Sequence, residues 1–238
     1  MSGRTRRREY RTGIARPDYF VVRHLREFVE ASLRKLVQSG MRVADIGCGE
    51  QPFRKLAEEL GGKYWGMDIC QNSSGTVAVV GNVSQAPLAS RSFELLICSE
   101  VLEHVPDCDA AFWELVRILR PGGHLILTTP FAFPLHEEPR DYTRLTHHKI
   151  HSLAQDHLLN VIEFRLSGNE LEVIATVWDN LWRHISPPPH RLRLWKAAVR
   201  AGMNGGVLLA DRLFGRLYPR KYYLNNLFLL QKHDAGDA

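Results

Sequence analysis

The sequence has no apolar run near the roughly 18 residues that a membrane-spanning helix requires, so no such helix is expected. Cysteine is scarce. Cys48, Cys70, Cys98 and Cys108 stand far apart with no C-x-x-C pair, which argues against a disulfide framework and against a cysteine-rich zinc site. Arg4, Arg6, Arg7 and Arg8 are not followed by an apolar stretch, so a secretory signal is not indicated. A reducing, cytoplasmic setting is the expectation, and there is no internal repeat. With 45% hydrophobic and 24% charged residues, the balance is that of a globular protein rather than a disordered, collagenous or coiled-coil one.

At 238 residues the chain is long enough for one elaborated domain with a sizeable core. Its net charge of +5 is unevenly spread. Residues 1–40 hold ten Lys and Arg against four Asp and Glu, residues 41–160 ten against fifteen, and residues 161–238 eleven against seven. A site built in the acidic middle is a poor match for nucleic acid, which calls for clustered positive charge. The arginine run reads as a solvated, flexible arm over residues 1–16.

From Pro17 onward, Phe20, Leu25, Phe28, Val29, Leu33, Leu36 and Val37 recur at helical spacing, up to a glycine cap at Ser39-Gly40. Short apolar runs then alternate with helical stretches. Residues 41–46, 63–67, 77–80, 93–98, 125–129, 161–164 and 222–230 read as strands, and residues 52–60 and 109–119 as helices. Near-continuous apolar strands joined by crossovers imply a mostly parallel, seven-stranded sheet with helices on both faces, a doubly wound α/β fold. Such a fold places its ligand beyond the carboxyl ends of the strands. A helical insertion over residues 184–221, broken at Gly205-Gly206 and preceded by Pro187-Pro188-Pro189, interrupts the rhythm before the last strand. One domain is expected over residues 17–238.

The run Asp45-Ile46-Gly47-Cys48-Gly49-Glu50-Gln51-Pro52 takes a strand straight into a glycine turn and a helix. Glycines let the backbone turn sharply and approach a ligand closely. A dinucleotide loop would want a third glycine at position 52, which is proline, so a pyrophosphate-bearing cofactor is disfavoured. Asp68 closes the second strand. An acceptor-only side chain there can take hydrogen bonds from both hydroxyls of a ribose.

These segments, with Ser92 to Val105 (S-F-E-L-L-I-C-S-E-V-L-E-H-V) and Leu119 to Leu125 (L-R-P-G-G-H-L), resemble the class I S-adenosylmethionine-dependent methyltransferases, in the right order over residues 41–130. The resemblance implies a Rossmann-like fold with S-adenosylmethionine as cofactor. It implies that Gly47, Cys48 and Gly49 face the methionine part, that Asp45 helps hold the ammonium end and that Asp68 holds the ribose. Ile69, Asn82 and Val83 would flank the adenine, with the Asn82 carbonyl accepting from its amino group, and Ser99 would lie near the sulfonium. Pro121-Gly122-Gly123 would make the turn before the fifth strand.

After that strand, residues 131–160 form the expected acceptor side. The spacing H-x-x-P-x-D-Y-x-R-x-T from His136 to Thr146 resembles a run found in many bacterial small-molecule methyltransferases of this class. Phe131, Tyr142 and Arg144 are candidates for holding the acceptor. His136 is the first candidate base, with Asp141 orienting it, and His104, at the start of the helix after strand four, is the second. Histidine suits the task because its unperturbed pKa lies near neutrality. The competing reading is that His136, Asp141 and Arg144 only tie the loop together. His147, His148 and His151 read as a solvated helix face, and no metal is expected.

The expected activity is therefore methyl transfer to a small-molecule acceptor, at oxygen, by direct displacement. The competing readings are an RNA methyltransferase using the basic flanks and a non-catalytic cofactor-binding protein. The amphipathic segment 190–217 is expected to serve as a lid, a homodimer surface or a membrane-surface contact.

Overall fold

A computed structural model describes Tyr10 and residues 12–184, 190–219 and 221–234. The remaining residues, with most of the arginine run and the 187–189 proline stretch, lie outside the described residues. Among the latter, no helix is long and apolar enough to cross a membrane.

Seven strands form one sheet: β1 (Arg42–Ile46), β2 (Lys63–Asp68), β3 (Val79–Val80), β4 (Phe93–Ser99), β5 (Leu119–Pro130), β6 (Leu159–Ser167) and β7 (Asn225–Lys232). Their order is β3-β2-β1-β4-β5-β7-β6. The first five are parallel, and β7 inserts antiparallel to both β5 and β6. The helices are α1 (Tyr19–Leu36), α2 (Arg54–Glu59), α3 (Cys108–Ile118), α4 (His147–Asp156), α5 (Glu170–His184) and α6 (His190–Phe214). The fold is the doubly wound α/β architecture that the strand pattern implies.

Side chains alternate across a strand, so a sheet covered on both faces needs apolar residues at every position. Val43, Leu95, Ile97 and Ile126 face Phe20, Leu25, Phe28, Val29 and Leu33 of α1. Their neighbours Ala44, Leu96, Leu125 and Leu127 face Phe112 and Leu115 of α3 and Ile150 and Leu153 of α4. Each such buried side chain contributes about 1.5–3 kcal/mol relative to exposure. Asp107 caps α3 by accepting from the Ala110 N–H at 2.9 Å, and Thr146 caps α4 through the Lys149 N–H at 3.2 Å.

Several boundaries differ from the sequence reading. Helix α1 ends at Leu36, and Gly40 (φ +84°) serves the turn into β1 instead of a cap. Strand β5 begins at Leu119, so Pro121-Gly122-Gly123 lies within its span, where the pairing with β4 slips between Phe93 and Leu95. The last strand starts at Asn225, not Tyr222. Helix α6 passes through Gly205-Gly206 without a break, because Met203, Val207 and Leu208 are held against the α1 side of the core. Its other side leaves Leu194, Leu209, Leu213 and Phe214 exposed. The described part of the N-terminal arm is not loose. The Asn204 amide donates to Ile14 O at 2.8 Å, and Arg26 donates to Tyr10 O at 3.1 Å. His147 and His151 are not on a solvated face, since both pack on Phe164.

Candidate active site

The strand order reverses between β1 and β4, and beyond their carboxyl ends opens a cavity of about 400 Å³. Ligands of open α/β sheets bind at such switch points. One end is walled by Gly47, Cys48, Gly49, Asp68, Ile69, Asn82 and Val83, the other by His104, His136, Arg140 and Tyr142, with Ser99 and Glu100 between.

The glycine loop is fastened by its own peptide groups. The Gly47 and Cys48 N–H groups both donate to Met67 O, at 2.8 and 3.0 Å, and the Gly49 N–H donates to the Asp68 carboxylate at 2.9 Å. Amides that would otherwise face a pyrophosphate are thus committed to β2. Gly47 has φ +71°, and a Cβ there would stand 2.3 Å from Val101 Cγ2, so the loop can lie this close only without a side chain. Around it the wall carries the acids Glu50, Asp68 and Glu100. Carboxylates with inward-turned amides suit a nucleoside bearing a positive group and reject a phosphate. The residues present therefore fit S-adenosylmethionine, a nucleoside with a cationic sulfur.

At the other end the loop after β5 is organised around Asp141, whose side chain is 1% exposed. Arg144 donates to both its oxygens at 2.5 and 2.6 Å, and the His136 backbone N–H donates at 3.0 Å. Burial alone would raise the Asp141 carboxyl, but these partners outweigh it and hold the pKa at about 2. The His136 ring sits with Nδ1 3.3 Å from Asp141 Oδ2, and its ring centroid is 4.7 Å from that of His104. Both histidines also approach Glu103, which is 1% exposed.

Two cavity-lining residues that are not glycine, Glu100 (φ +56°) and Glu137 (φ +54°), adopt left-handed backbone. That conformation costs of order 1–3 kcal/mol and persists only where the surroundings enforce it. The Glu100 carboxylate is gripped by Thr128 Oγ1 and by Asn225 Nδ2, each at 3.0 Å, which ties the end of β4 to β5 and β7.

Residues 44–127 match the family described as a methyltransferase domain. A ubiquinone biosynthesis O-methyltransferase of Xanthomonas axonopodis pv. citri is 30% identical over 180 residues, covering 66% of this chain and 73% of that protein. The chain belongs to the class I S-adenosylmethionine-dependent methyltransferases. A protein of the same name from Xanthomonas oryzae pv. oryzae is 31% identical over 136 residues, covering 48% of this chain, and the chain spans only 57% of that relative's length. A SAM dependent methyltransferase from Archaeoglobus fulgidus superposes with a TM-score of 0.56 at 14% identity, covering 87% of this chain and 94% of that one, a likeness of fold alone.

In this methyltransferase the structure gathers most of the expected residues. Gly47, Cys48, Gly49, Asp68, Ile69, Asn82, Val83, Ser99, His104, His136 and Tyr142 all line the one cavity. The Asn82 carbonyl oxygen also accepts from the Ser84 N–H at 3.0 Å, which fixes its direction. Others fall elsewhere. Asp45 is off the cavity wall: its carboxylate accepts from the Tyr64 hydroxyl at 2.6 Å, and burial pushes its pKa up to about 7 although the Tyr64 bond opposes this. It does not reach a ligand's ammonium group. Phe131 stacks flat on Tyr223 at 4.3 Å, and Arg144 is spent on Asp141 and the Phe133 and Pro134 carbonyls, so neither meets the acceptor. His104 ends a 3-10 turn (Leu102–His104) rather than opening a helix. The sequence reading missed Tyr10, whose hydroxyl lies 3.3 Å from Ser99 Oγ, and it assigned nothing to Glu100 or Glu103. The S-E-x-x-E-H spacing was a signal for the two acids; an isolated tyrosine in an arginine-rich arm gave none.

Proposed function

We propose that the protein transfers a methyl group from S-adenosylmethionine to an oxygen of a small-molecule acceptor. The observation that carries this reading is the single cavity that joins the glycine loop and Asp68 to His136 and Tyr142 across Ser99. The matched relatives named as O-methyltransferases support oxygen as the acceptor atom. The cofactor, when bound, supplies a methyl group on a positively charged sulfur that an acceptor oxygen displaces directly.

Asp68 holds the ribose hydroxyls, Ile69 and Val83 flank the base, Asn82 takes its amino group, and the bare peptide of residues 47–49 allows the methionine part to lie close. Ser99 stands beside the reacting centre. Tyr142 borders the acceptor and His136 takes its hydroxyl proton. Asp141 is a positioning residue: it fixes the His136 ring and is itself fixed by Arg144. Aligning the two reactants lowers the barrier by ~7–11 kcal/mol, whereas a general base contributes roughly 3–5 kcal/mol, so the shape of the cavity matters more than the base.

The test is incubation of the full chain with methyl-labelled cofactor and a metabolite extract, followed by identification of the labelled product. A labelled methyl ether or ester with release of S-adenosylhomocysteine is expected. Absence of S-adenosylhomocysteine with every fraction overturns the activity. Label in RNA, with binding that falls steeply as salt rises, moves the reading to a nucleic-acid methyltransferase.

A further inference from the structure

The acceptor end of the cavity holds a donor set that proton transfer does not explain. Glu103 Oε1 lies 3.7 Å from His104 Nε2 and 3.8 Å from His136 Nε2, and one ligand atom from each of the three residues falls within 4.8 Å of the others. Those separations are too long for direct hydrogen bonds, which run about 2.7–3.2 Å. They are close to the ~3.4 Å between two ligands bound at about 2.1 Å to one tetrahedral ion.

The opposite side of each ring points to the same conclusion. His104 Nδ1 is 2.5 Å from Arg140 O, and His136 Nδ1 is 3.3 Å from both Pro134 O and Asp141 Oδ2. A carbonyl or carboxylate partner assigns the proton to Nδ1 and the lone pair to Nε2, the tautomer that metal-binding histidines adopt when an outer partner orients them. Asp141, locked by Arg144, is that outer partner for His136. Both Nε2 atoms then converge on one buried carboxylate at the edge of the cavity.

We infer that Glu103, His104 and His136 form a binding site for a divalent cation. Two imidazoles and one carboxylate select a first-row transition ion, of the zinc, cobalt or iron(II) type, over magnesium or calcium, which prefer all-oxygen sites. Because His104 and His136 line the cavity, the ion's remaining positions face the acceptor. An ion there orients a hydroxyl-bearing acceptor through its oxygen, and this use rests on the methyl-transfer reading; the binding of the ion does not. With the ion in place the His136 lone pair is occupied, so ligand and base are alternative states of the same residue.

The experiment is a titration of the full chain, freed of any purification tag and dialysed against chelator, with Co²⁺ followed by visible absorption and displacement by Zn²⁺. One equivalent per chain is expected, with affinity lowered tenfold or more in His136→Ala, His104→Gln and Glu103→Gln and unchanged in His148→Ala on exposed α4 surface. Thermal melts separate loss of a ligand from loss of fold. Failure of the wild type to take up one equivalent overturns the site, as does uptake that survives all three ligand variants. Calorimetry with S-adenosylmethionine is run separately: Co²⁺ uptake without cofactor binding sinks the methyl-transfer reading alone, and cofactor binding without Co²⁺ uptake sinks the cation site alone.

Discussion

At the cofactor end of the cavity, peptide groups of residues 47–49 hang from Met67 and Asp68 on the neighbouring strand, and shape is set by backbone. At the acceptor end, shape is set by side chains from two loops more than thirty residues apart, the turn at Leu102–His104 and the stretch from Phe133 to Arg144. The contrast extends to two aspartates. Asp45, behind the glycine loop, loses its hydration to burial and is pushed up to about 7; Asp141, equally enclosed, is matched by Arg144 and the His136 N–H and held at about 2. Burial raises a carboxyl unless charge and donors are brought to it. A backbone-built site tolerates little change in its residues but is simple to recognise, whereas a side-chain-built site can be retuned residue by residue.

Four measurements sharpen or break that comparison. The largest effect is expected at the acceptor end, where His136→Ala lowers kcat by about 10²–10⁴-fold while calorimetry shows cofactor affinity within about threefold of wild type. Asp68→Ala does the reverse, weakening cofactor binding by about 10²-fold through loss of charge-assisted hydrogen bonds. If His136→Ala abolishes cofactor binding and Asp68→Ala leaves it intact, the two ends have been interchanged.

A smaller effect is expected from Gly47→Ala, which forces a Cβ into Val101 and imposes a left-handed conformation on alanine. It costs about 1–3 kcal/mol in denaturant unfolding. The double variant with Val101→Ala recovers the part due to the clash but not the part due to φ; full recovery, or none, contradicts the geometry of the loop.

The smallest effect is in the pH dependence of stability. Asp45 titrates near 3.8 when unfolded and at about 7 when folded, so the folded state holds an extra proton between those values and stability falls as pH rises through that window. Asp141 acts oppositely: its contribution is present above pH 3.8 and is lost as pH falls toward 2. Asp45→Asn should flatten the change in melting temperature between pH 5 and 7 and leave the acid limb near pH 3 as it was. A variant profile parallel to the wild type between pH 5 and 7 rules out the buried carboxyl as its source.

The strand-to-glycine turn at residues 45–49 and the carboxylate at Asp68 were readable because each is a local requirement. A sharp turn needs glycine, and a ribose clamp needs an acceptor at a strand end, whatever the rest of the chain does. Asp45, Phe131 and Arg144 had the right chemistry in the right segment and were still misplaced. A side chain's direction depends on neighbours such as Tyr64, Tyr223 and Asp141, and motif spacing does not specify these.

The sequence by itself determined the sheet, its doubly wound helices and the cavity end made of backbone, because hydrophobic period and glycine placement act over short stretches of chain. Only the tertiary structure decided that Tyr10 comes back to Ser99 and that Glu103, His104 and His136 converge, since contacts between distant segments depend on packing that fixes loops against one another.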